Sequence, residues 1–156
     1  AAAAAQYLPE NYHIHIIGFG SEKQVENIKE NVESINKVSI ATASYDGLLK
    51  GEDYIRFLQK CHIGLSTQNP DAEYNDTSFP SKILSYMANG LKVVTVRIAA
   101  IETSLIGDKV YYYEEQNPKA IAQAILAIDL EEKYDSRMTI KELDKMFKRE
   151  LEVLLR

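Results

Sequence analysis

The chain has 156 residues, 46% of them hydrophobic and 26% charged, with a net charge of −5. That length amounts to about one domain, able to bury about two thirds of its unfolded surface, and the composition is ordinary for a globular protein. The acidic balance argues against a nucleic-acid-binding surface, which needs a basic stripe, but leaves room for a local basic pocket that holds a phosphate.

Residues 1–5 are all alanine. They lack the charged flank and long apolar core of a signal peptide, and are read as an added or unidentified segment outside the fold. Tyr12–Ile17 is apolar and β-branched, reads as a first strand, and ends in Gly18-Phe19-Gly20. Ser21 offers an N-cap with Gln24 as capping-box partner, and Val25, Ile28, Val32 and Ile35 follow at helical spacing. Lys37–Thr42 reads as a second strand and Asp46-Gly47 as a turn. Gly51–Lys60 reads as a short helix with Tyr54, Ile55 and Leu58 inward, and Cys61–Ser66 as a third strand. Cys61 is the only cysteine, so no internal disulfide forms, and a reducing compartment is the natural setting. It is read as a small buried hydrophobe rather than a reactive thiol.

The run from Asn75 to Gly90 is the most informative stretch. A polar loop leads into Ser78-Phe79-Pro80-Ser81-Lys82, an apolar helix face follows, and Asn89-Gly90 stops the helix. Ser78 suits the N-cap and Pro80 the first turn, where its missing N–H costs nothing. Leu91–Val96 reads as a strand, Ile98–Leu105 as a short amphipathic turn, and Val110–Tyr113 as a last strand. Asn117 then caps a helix with Pro118 in its first position, whose buried face is Ala120, Ile121, Ala124, Ile125 and Ile128. In the tail, Thr139 and Glu142 suggest a capping box ahead of an apolar stripe, Ile140, Leu143, Phe147, Leu151 and Leu154. No apolar run approaches the ~20 residues of a membrane span.

Strands alternating with helices predict an α/β domain: a doubly wound parallel sheet of five to six strands, Rossmann-like, in three α/β/α layers with a C-terminal helix. Residues 6–134 form this domain, and 135–156 form a helix that packs on it or braces another domain. In either common doubly wound order the end of the first strand lies at the switch point. The crevice should therefore be built from 18–21 and the loop before the 80–89 helix.

Gly18 and Gly20 let backbone approach an anion closely. The pair is not a dinucleotide fingerprint, since Lys23 stands where a third glycine would fall. A tight strand-to-helix turn explains it equally well. Ser81 and Lys82 could add a hydroxyl and an ammonium to the positive end of the helix dipole, several contacts suited to a diphosphate. A capped helix whose Lys82 points to water is the alternative. His13 and His15 face one side of a strand, with no clear third metal ligand.

Together, "IIGFGSE", "KVSIATASYDGLL", "YIRFLQKCHIGLSTQ", "SFPSKI…YMA.G…VV" and "IETSLIGDKVYYYEEQNPKAIAQAI" resemble the donor-binding C-terminal domain of group 1 glycosyltransferases, retaining bacterial enzymes of the GT-B fold that build surface polysaccharides. The resemblance covers about residues 11–130 in consistent order. It implies a nucleoside diphosphate sugar as donor substrate, no further cofactor and no metal. It also implies a separate N-terminal acceptor-binding domain as partner, and a cytoplasmic location that can include peripheral attachment to the inner membrane face. By resemblance, Gly18, Phe19 and Gly20 approach the donor phosphate while Ser81 and Lys82 hold the diphosphate. Thr77, Ser78 and Phe79 then lie near the sugar, Ser85 near the ribose, and Ala43, Ser44 and Tyr45 near the base. The family usually carries two glutamates with seven residues between them; the matching positions here are Thr77 and Ser85, neither acidic. That departure keeps a rival open, a non-catalytic Rossmann-like interaction module. A nicotinamide oxidoreductase is disfavoured by Lys23.

Overall fold

A computed structural model describes residues 1–69 and 79–155. Five parallel strands alternate with helices: β1 (His13–Ile17), α1 (Glu22–Asn36), β2 (Thr42–Gly47), α2 (Gly51–Leu58), β3 (Ile63–Ser66), α3 (Lys82–Ala88), β4 (Lys92–Val96), α4 (Ala99–Glu102), β5 (Tyr111–Tyr113), α5 (Pro118–Leu126) and α6 (Ser136–Leu154). The expected α/β Rossmann-like fold is present. Its strands fall into two open sheets, β1-β2 and β3-β4-β5, and no ladder joins them among the described residues. β4 is central in its sheet and buried at every position, as a strand covered on both faces must be.

The local signals explain most of these elements. Ser21 accepts from the Gln24 backbone while the Gln24 side chain accepts from the Ser21 N–H at 2.9 Å, the predicted capping box. Asn117 caps α5 by accepting from Ala120 N at 2.8 Å, with Pro118 beginning the helix. Gly90 stops α3 in the left-handed region, φ +89, where a side chain would be strained.

Four expectations are corrected. The second strand is Thr42–Gly47, not Lys37–Thr42. Val38 and Ile40 are exposed in the turn after α1, and the strand is positioned by Asn36, whose side chain bonds both N and O of Ala43 at 2.8 and 2.9 Å. α6 begins at Ser136, capped by Asp135, which accepts from Arg137 N; Thr139 lies inside the helix with its hydroxyl on Tyr134 Oη. Ile55 is exposed on α2, where Leu58 is the buried anchor. Residues 1–5 take part in the fold: an N-terminal 3-10 helix, Ala2–Tyr7, packs against α5 and α1 with Ala4 and Ala5 fully buried.

Candidate functional site

The C-terminal ends of β1, β2 and β3, together with the start of α3, carry most of the residues expected at the site. At β1, the Gly18 N–H donates to Gly47 O at 2.9 Å, and the Tyr45 hydroxyl donates to Gly18 O at 2.8 Å. The turn is thus tied on both sides to β2. The two glycines differ in their reasons. A Cβ at Gly20 would stand 2.9 Å from Gln24 Oε1, so the capping box itself leaves no room for one. Among the described residues a Cβ at Gly18 would meet nothing within 4 Å, and Gly18 has no positive φ, so none of them requires a glycine there. Phe19 between them is 85% exposed.

At the end of β3 a cavity of about 390 Å³ opens between Leu65, Ser66, Thr67 and Gln68 on one side and Phe79, Pro80, Ser81 and Lys82 on the other. The α3 helix as described begins at Lys82, so Pro80 and Ser81 precede it. Ser81 occupies the cap position in helical geometry without a side-chain cap bond. The expected cap Ser78, and Thr77 with it, lie outside the described residues. Lys82 is exposed and makes no ion pair among the described residues. Ser85 sits one turn further along α3, half-buried, and does not line the cavity.

Why α3 stands over this end of β3 follows from packing. Ile83 and Met87 are fully buried beneath it, and Tyr86 lies against Gly64. Burial pushes the Tyr86 phenol up to about 12, with Tyr54 and Cys61 adding to the effect.

Ser44 and Tyr45, predicted together near a base, point to opposite faces of β2, as neighbours on a strand must. Only Tyr45 touches the Gly18 turn. Ser44 instead donates to Asp46 at 3.0 Å and pairs with His13 Nε2 at 2.8 Å. His13 and His15 do share a face, their ring centroids 4.3 Å apart. No group of metal-ligating side chains forms among the described residues. Cys61 is half-buried with its thiol on Phe57 O, and burial raises its pKa, which keeps it protonated and inert.

Ser66, Thr67 and Gln68 were not anticipated. The available signal was positional: they follow the third strand, where crevice residues of a parallel sheet collect. A larger hollow, about 520 Å³, lies between β5 and α5 and is lined by Tyr112, Tyr113, Glu114 and Asn117 among others. It holds none of the predicted residues. Arg97 near it is fixed by Glu114 and Glu102 and stacks 4.3 Å above the Tyr112 ring, so its charge is already balanced.

Among the described residues no helix is long and apolar enough to cross a membrane. No curated protein matches the chain. The family model described as "Glycosyl transferases group 1" matches residues 1–129, most of the chain and every strand of the fold. The protein therefore belongs to the group 1 glycosyltransferases.

Proposed function

We propose that this chain is the donor-binding domain of a two-domain, retaining glycosyltransferase that moves a sugar from a nucleoside diphosphate sugar to a cell-surface polysaccharide or glycan precursor. The observation that carries the reading is the cavity between Ser66–Gln68 and Phe79–Lys82, which gathers hydroxyls and a cation at the end of β3. In such a transfer the bond from anomeric carbon to diphosphate breaks, and negative charge builds on the leaving group. Lys82 and fixed hydroxyl and backbone donors stabilise that charge with little rearrangement. Gly18, lacking a Cβ and an internal reason for it, admits a phosphate close to the backbone. Ser85 would bond a ribose hydroxyl more weakly than the usual carboxylate, which makes donor affinity modest. The acceptor contacts belong to a second domain, so this chain alone binds donor and transfers nothing.

A thermal-shift titration with UDP, GDP, ADP and their glucose conjugates tests the reading. The expected result is stabilisation by one nucleoside diphosphate, lost in Lys82→Ala and weakened in Ser81→Ala. Flat curves with every nucleotide, or a shift that survives Lys82→Ala, overturn it.

A second reading, a non-catalytic interaction module, draws on α6. Ile140 and Leu143 pack against the core, but Phe147, Leu151 and Leu154 on the same stripe are exposed. That reading predicts no response to any nucleotide and loss of partner capture in Phe147→Glu.

A further inference from the structure

β5 ends its sheet: β4 pairs with one side of it, and no described strand pairs with the other. The direction of its backbone groups follows from one bond. Arg97 N donates to Tyr113 O at 3.3 Å, so Tyr113 turns its carbonyl to β4. Successive residues of a strand turn their N–H and C=O groups to opposite sides, so those of Tyr112 face the open edge. Neither bonds any described group. Such an edge is usually blunted by lysine, proline or a bulge. Val110-Tyr111-Tyr112-Tyr113 carries neither charge nor proline, and its register with β4 runs without a shift. The edge is also held in shape: Tyr112 Oη donates to Gly107 O at 2.9 Å, and Arg97 lies over the Tyr112 ring. Beside it lies the hollow of about 520 Å³, walled on the α5 side by Ala120, Gln123, Ala124 and Ala127. The alanine side chains end at Cβ, so a second backbone can come close.

We propose that this edge joins two copies of the chain, β5 to β5 and antiparallel, about a two-fold axis through Tyr112. On such an axis each Tyr112 donates its N–H to the C=O of the other, the closed pair of bonds of an antiparallel ladder. Both unmatched groups are then satisfied, and the three-stranded sheet continues into its copy. Any extended strand could meet those two groups; charge selects the second copy. Counting outward from Tyr112, Glu115 stands opposite Lys109 of the second copy, and the axis makes this pair twice. Both side chains are exposed, and the one ion pair Lys109 makes among the described residues is with its neighbour Asp108. The same axis sets the two α5 helices on one side of the joined sheet, with their alanine faces towards each other across the hollow. The inference does not rest on the donor-binding reading, since the hollow shares no lining residue with the cavity at Lys82.

Sedimentation velocity of the intact chain over a concentration series, with amide exchange at Tyr112, tests it. The expected species are 17.7 kDa at low concentration and twice that mass at high concentration, with the Tyr112 amide protected only in the second. Tyr112→Pro removes the outward N–H, which β4 does not use, and should stay monomeric throughout. Glu115→Lys and Lys109→Glu each set like charges together and should weaken the dimer about 2- to 30-fold, and the double variant should recover most of that loss. If Tyr112→Pro does not fold, the charge exchange decides alone. A chain that is monomeric at every concentration overturns the second copy as occupant and leaves the edge to a strand of another protein. A dimer that survives Tyr112→Pro, or charge variants that the double variant does not rescue, puts the contact elsewhere and overturns the proposal as well.

Discussion

The ring of Tyr86 lies so close to Gly64 that a Cβ on the glycine would overlap ring carbons Cγ and Cδ2. This contact sets the distance between α3 and β3, the two elements whose ends frame the cavity with Lys82. Gly64→Ala therefore has two expected results. It should destabilise the fold by about 1–3 kcal/mol through overpacking, read in urea unfolding. Tyr86→Leu in the same chain should recover part of that loss, whereas an independent effect at Gly64 would leave the loss unchanged.

Tyr86 also predicts an alkaline limit. Its phenol is held up to about 12 mainly by burial, against about 10 in the unfolded chain. The unfolded state releases this proton more readily, so stability falls as the pH rises above about 10 and stops falling above the folded value. The loss is at most about 2–3 kcal/mol. Tyr86→Phe should flatten that alkaline slope in unfolding curves, and a slope identical to wild type would refute the assignment.

Asn36 is the residue that starts β2. Its amide satisfies both backbone groups of Ala43 at once. Asn36→Ala leaves a donor and an acceptor unmatched and should cost about 1–3 kcal/mol. Asn36→Asp, which can only accept when ionised, should fall between the two. The amide exchange of Ala43 reports the effect directly: its proton is protected in the wild type and should exchange faster in both variants.

Lys92 is buried at the start of β4, yet its ammonium reaches Asp129 O and, at 2.9 Å, Glu132 Oε2. Glu132 itself is half exposed, so the pair is screened on one side. Glu132→Ala strands a buried cation, while Lys92→Met removes the cation and keeps the volume. The expected order is Lys92→Met near neutral, within about 1 kcal/mol, and Glu132→Ala clearly worse. The reverse order would mean that the ammonium's bond to Asp129 O, not its pairing with Glu132, holds the lysine at the start of β4.

Elements whose signals are local were legible in the sequence. Ser21-Gln24 and Asn117-Pro118 are self-contained instructions, and the helices start where those residues say. β2 was misplaced because Val38 and Ile40 have the right chemistry for a strand but sit in a turn, while the strand uses Ala, Ser and Thr against a long-range amide from Asn36. α6 was misplaced because Thr139 and Glu142 imitate a cap; Asp135 outcompetes them since Ser136 can then bury itself against Met87 O. At the candidate site, Phe79–Lys82 announced themselves by turn and charge chemistry. Ser66–Gln68 did not, because three common residues acquire a role only from the strand end that carries them. The opposite facing of Ser44 and Tyr45 follows from strand alternation once β2 is placed at Thr42–Gly47, the placement that the long-range amide of Asn36 decides.

The break between β1-β2 and β3-β4-β5 has a consequence for amide exchange. Protection in a native protein is graded by cooperative opening units, and a gap in the ladder is a natural border between two of them. Amides of β4, buried along its whole length and paired on both sides, should exchange only through global unfolding. Amides of β1 and β2 should exchange through a cheaper opening that leaves β4 intact. The walls of the crevice then differ in durability: the side that carries Gly18 and Tyr45 can open and close many times within one lifetime of the side that carries β3 and α3.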